Sequence, residues 1–64
     1  MNRLAFEAHL RTHGCELRRH GAKHDIWWNP ASEAIAGLPW HRTLKKPLAR
    51  GVCRKLGVPL PPGL

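Results

Sequence analysis

With 64 residues, the chain can form one small domain but cannot enclose a deep pocket, so a shallow groove suited to a large substrate is expected. Eleven Lys and Arg against four Asp and Glu give a formal charge of +7, which favours nucleic acid, an acidic protein or an anionic surface as partner. No apolar run has the length of a signal peptide or the ~18 residues of a membrane span, so a cytoplasmic protein with no membrane contact is expected, with Cys15 and Cys53 as free thiols packed as small hydrophobes.

Asn2 suits the N-cap of a helix over 3–13, in which Phe6 and Leu10 share a face and Gly14 supplies the stop. Cys15 to His20 loosely alternates apolar and polar residues, as a half-buried strand does. Gly21-Ala22 fits a tight turn. His24 to Asn29 carries Ile26, Trp27 and Trp28 and predicts a second strand, with the two tryptophans on opposite faces. Asn29-Pro30-Ala31-Ser32 reads as a loop. Ala34 to Leu38 reads as a third strand, weakened by Gly37 and ended by Pro39. Pro47 suits the first turn of a second helix, in which Leu48, Val52 and Leu56 recur every fourth residue before Gly57 and Pro59 stop it. The proline-rich tail, Val58 to Leu64, is expected to be extended. The order is helix, three strands, helix, an α+β fold with helices on one sheet face.

Lys46, Arg50 and Arg54 stand at i, i+4 and i+8 of the second helix. Like charges so placed repel by a few tenths of a kcal/mol per pair, so negative charge is expected to meet them. The histidines raise the question of a metal. His9, His13 and Cys15, or His20 and His24, lack the paired ligand spacing of structural zinc, and no metal or other cofactor is expected.

The segment Gly14-Cys15-Glu16-Leu17-Arg18-Arg19-His20-Gly21-Ala22-Lys23-His24-Asp25-Ile26 resembles the core of HicA-family toxins, the small mRNA interferases of type II toxin–antitoxin systems, in its glycine after the first helix and its Gly-x-x-His hairpin. Pro39-Trp40-His41 stands where the family has Pro-Arg-His, and Lys46 to Val58 is similar to its last helix and exit. The resemblance covers roughly 3 to 59 and implies a single domain over 1–59, with a proline-rich tail at 60–64. It also implies a double-stranded-RNA-binding-domain-like α-β-β-β-α fold, with a three-stranded antiparallel sheet and both helices on one face.

The function so implied is metal-independent cleavage of single-stranded mRNA, neutralised by an acidic HicB-like antitoxin. His24 would be the catalytic base on a ribose 2′-hydroxyl. Histidine has an ordinary pKa of about 6.5, which leaves a neutral base at cell pH. Lys23, Arg19, His41, Arg42, Lys46 and Arg50 are expected to contact RNA, and His41 and His20 are the candidate proton donors. Trp40 departs from the family's arginine and is expected to stack on a base, pack on the helices or enlarge an interface. The alternative is a non-catalytic RNA-binding or protein-interaction module of the same fold.

Overall fold

A computed structural model describes residues 1–64. Helix α1 (Arg3–Thr12) starts where the Asn2 side chain accepts the Ala5 N–H at 3.2 Å, satisfying one of the free amides of the first turn. It ends at His13. Gly14, at φ +86°, then reverses the chain so that the Cys15 N–H reaches the Leu10 carbonyl at 2.9 Å. A left-handed φ of this kind costs glycine nothing.

Three strands follow, β1 (Glu16–His20), β2 (His24–Asn29) and β3 (Ala34–Pro39), then helix α2 (Lys46–Leu56). The sheet is antiparallel in the order β1-β2-β3, and the α-β-β-β-α order expected from the sequence is what forms. The β2–β3 connection is closed by Asn29, whose side-chain oxygen accepts the Ala31 N–H and whose carbonyl accepts the Glu33 N–H at 2.7 Å. Helix α2 carries Pro47 in its first turn and stops at Gly57, which is left-handed at φ +72°.

Burial alternates along β2. Asp25, Trp27 and Asn29 are buried, while Ile26 and Trp28 are half-buried and His24 is exposed. The two tryptophans therefore point to opposite faces, as expected. One sheet face packs Trp27, Ala36 and Leu38 against Phe6, Leu10, Val52, Cys53 and Leu56 of the helices. The other face carries His24, Ile26 and Trp28. Asn29 reaches through the core layer, its amide donating to the Leu56 carbonyl at 2.7 Å at the end of α2. The indole nitrogen of Trp27 is buried with no partner, a cost of about 1–3 kcal/mol. Cys15 and Cys53 are free and buried, and burial pushes both thiols up.

Residues 1–3 and 42–44 pair with each other. The Met1 ammonium donates to the Leu44 carbonyl and the Leu44 N–H to Met1, both at 2.7 Å, Asn2 bridges Thr43, and the Arg3 N–H donates to the Arg42 carbonyl at 2.8 Å. This pairing fixes the chain after β3 beside the start of α1. The tail, expected to be extended, has no regular structure up to Pro61 and ends in a turn that brings it back onto the core. Pro61 is buried, Leu64 packs against the core and its N–H donates to the Pro61 carbonyl. No helix is long and apolar enough to cross a membrane.

Candidate functional site

His24 opens β2 on the uncovered sheet face. The turn before it is closed by the Gly21 N–H, which donates to the His24 carbonyl at 2.7 Å. A Cβ at Gly21 would lie 2.5 Å from that oxygen, so the turn requires glycine. On the far side, a Cβ at Gly37 of β3 would lie 3.6 Å from the His24 Cβ and 3.7 Å from its ring. The imidazole therefore rests over glycine backbone. The ring makes no hydrogen bond within the chain and stays exposed. Gly37, which weakens the third strand as a sequence signal, is the seat of the histidine.

Two arginines join it through an irregularity in β1. Leu17 pairs with Trp27 and Arg19 with Ile26, so Arg18 is an extra residue between them, as in a β-bulge. Residues opposite each other in a pair point to the same side, and Arg19 thus shares the uncovered face with Ile26. The Arg18 guanidinium lies 5.0 Å over the Trp28 ring on that face, a cation–π contact. Without the bulge, consecutive arginines would point to opposite faces. The uncovered face thus combines an unpartnered imidazole, two guanidinium groups and a half-buried indole, a combination that serves phosphate contact and base stacking.

A second group gathers on the helix side at the same end of the sheet, centred on Asp25. One carboxylate oxygen accepts from His20 Nδ1 at 2.7 Å and from Trp40 Nε1 at 2.9 Å, and the other accepts from Arg3 Nη2 at 2.8 Å. Arg3 also donates to Glu7 at 2.8 Å and to the Pro39 carbonyl. Burial alone pushes the Asp25 carboxyl up. The hydrogen bonds from His20, Arg3 and Trp40 and the charge on His20 together outweigh it and hold the group below its ordinary value. An ionised carboxylate only accepts, so His20 Nδ1 carries the proton in this bond and Nε2 is the free nitrogen. Arg3, His20, Asp25, Trp40, His41 and Arg42 line a cleft of about 340 Å³ here.

The expected site residues fall into three places. His24 and Arg19 share the uncovered face, with Lys23 exposed in the turn beside them; His41 and Arg42 line the Asp25 cleft; Lys46 and Arg50 are exposed on α2, whose other side is buried through Ala49, Val52, Cys53 and Leu56. Arg54 is exposed with them. Arg18 and the Asp25–His20 pair add to what the residue pattern singles out, and of the two adjacent tryptophans Trp27 is the core residue and Trp28 the outward one. Nothing local marks Asp25 as a partner of residues from α1, β1 and the segment after β3. Trp40 takes up a definite task, its indole N–H holding Asp25.

No family model, curated protein or solved structure matches the chain.

Proposed function

We propose that this protein is a metal-independent endoribonuclease acting on single-stranded mRNA, the toxin of a HicA-like toxin–antitoxin pair, with His24 as general base. The observation that carries the reading is the exposed His24 imidazole, free of any partner in the chain, seated over Gly37 and on the same sheet face as Arg19. The neutral ring takes the proton of a ribose 2′-hydroxyl, and the 2′-oxygen attacks the adjacent phosphorus. The bond from phosphorus to the 5′-oxygen breaks, that oxygen leaves with a proton from water, and a 2′,3′-cyclic phosphate remains. RNA supplies its own nucleophile, so an open face suffices and DNA is spared. Arg18 and Arg19 carry charge toward the phosphates, and Trp28 offers a surface for a base.

An acidic HicB-like antitoxin is the partner that fits the charge of +7 and the half-buried apolar residues of the same face. A second reading, a non-catalytic RNA-binding module, is favoured by Arg18 over Trp28, an arrangement useful for binding alone. The two separate when the purified chain meets single-stranded RNA in excess chelator beside His24→Ala. Cleavage to cyclic-phosphate ends, lowered on the order of a hundred-fold or more by the substitution, is expected. RNA left intact while bound would rule out the nuclease, and equal cutting by His24→Ala would rule out the assigned base.

A further inference from the structure

The cleft around Asp25 lies on the sheet face opposite His24. Its charges are unevenly matched. Arg3 bridges Asp25 and Glu7, and Arg11 also faces Glu7, so two cations offset two carboxylates, whereas Arg42 is exposed and has no carboxylate partner. Two further imidazoles, His20 and His41, line the same walls. The cleft therefore presents one free guanidinium and two histidines around a compensated ion pair, an arrangement that attracts an anion.

His20 narrows the kind of anion. Its ring is held through Nδ1 by a carboxylate that only accepts, so Nε2 is free and the side chain is 69% exposed. A neutral Nε2 needs a proton from its ligand, and a protonated one gives a proton. A phosphate monoester, with a second ionisation near pH 6, serves in both states. As a monoanion it donates its P–OH to the neutral ring, and as a dianion it accepts from the protonated ring. Either way one shared proton lies between them. A phosphodiester has no such proton and can be held only by the protonated ring, the neutral one setting acceptor against acceptor, whereas a monoester is held in both states. Trp40 completes the wall. Its N–H is committed to Asp25, its ring stands edge-on to His20 with centroids 6.4 Å apart, and the residue is 58% exposed. An exposed indole beside a phosphate site suits the base that carries that phosphate.

We propose that this cleft binds a phosphate monoester, the phosphorylated 5′ end of an RNA strand, with Arg42 and His41 on the phosphate, His20 sharing its proton and Asp25 positioning His20. The ligand's being RNA rests on the reading given under Proposed function; the phosphate chemistry stands without it. Lys23 is exposed in the turn that joins β1 to β2.

The test uses the whole chain and a 2′-O-methyl oligoribonucleotide, which has no 2′-hydroxyl to attack. The 5′-phosphorylated form should bind roughly ten-fold more tightly than the 5′-hydroxyl form, the effect of one charge-assisted contact. The difference between the two forms should vanish in Arg42→Gln and shrink in His20→Gln, both at exposed positions, whatever either substitution does to the affinity for the 5′-hydroxyl form. Inorganic phosphate, followed through the imidazole NMR signals of His20 and His41, should shift both. Equal affinity for the two oligonucleotides, or a preference that survives both substitutions, overturns the proposal. Imidazole shifts with inorganic phosphate but no binding of either oligonucleotide would uphold the phosphate cleft and overturn the RNA reading.

Discussion

The Gly21 N–H closes onto the His24 carbonyl at 2.7 Å, and any side chain at Gly21 would meet that same oxygen at 2.5 Å. The Gly-x-x-His spacing thus has a physical reason in this chain: the glycine admits the turn that presents the histidine. Gly21→Ala should force the carbonyl away, cost about 1–3 kcal/mol of stability as overpacking does, and shift the His24 ring from Gly37. Denaturant unfolding and the His24 NMR signals check this, and an unchanged midpoint with unchanged signals would contradict it.

Asp25 joins α1, β1 and the residue after β3 through Arg3, His20 and Trp40. Asp25→Ala leaves a largely buried guanidinium without its carboxylate and should cost about 3 kcal/mol. A carboxyl whose folded pKa lies below its unfolded value stabilises the fold in full above the unfolded value, and this is lost as pH falls through the folded one. The ordinary value here is 3.8, so the contribution should hold from neutral pH to about 4 and fall away below it. Thermal unfolding from pH 7 to pH 2 should show Asp25→Asn less stable than the parent at pH 7 and the gap narrowing at the acid end. A gap that widens toward acid would contradict the assigned direction.

The order of elements was legible because each rests on local signals: Asn2 before Phe6 and Leu10, the β-branched and aromatic run at Ile26-Trp27-Trp28, and Leu48, Val52 and Leu56 between Pro47 and Gly57. The Asp25 cleft was not, because Arg3 and Asp25 are 22 residues apart and a single polar pairing leaves no periodic trace. Nor was the pairing of residues 1–3 with 42–44, which carries no strand-like run. His24 was legible as a position, but its seat was not, since Gly37 reads locally as a flaw in a strand. The α2 stripe was legible as a charged surface; its separation from His24 is a matter of which sheet face the helices cover.

Asn29 spans the core by donating to the Leu56 carbonyl at 2.7 Å while it closes the β2–β3 connection. Asn29→Ala leaves a buried carbonyl at the end of α2 unpaired and should cost about 1–3 kcal/mol. Hydrogen exchange should show the loss concentrated in the last turn of α2 and in residues 30–34. Uniform protection equal to the parent's would show that the bond contributes nothing.

If the uncovered face binds RNA, Arg19→Gln should reduce the salt dependence of single-strand affinity by about 0.7 log units per log unit of salt, one phosphate's worth. Trp28→Ala should weaken binding by about 1–3 kcal/mol, as loss of a stacked base does, with the salt slope unchanged. Fluorescence anisotropy at several salt concentrations separates the two effects. Identical slopes for the parent and Arg19→Gln would remove Arg19 from the interface.

The extra residue in β1 also gives the sheet its only slack. A chain lacking Arg18 would keep Leu17 opposite Trp27 and Arg19 opposite Ile26, so the loss of that codon removes one charge and its contact with Trp28 but leaves the register intact. The loss of one codon within β2, which is paired on both sides, would turn part of the strand over and exchange buried for exposed side chains. Length variation among chains of this kind should therefore be found in the first strand and not in the second.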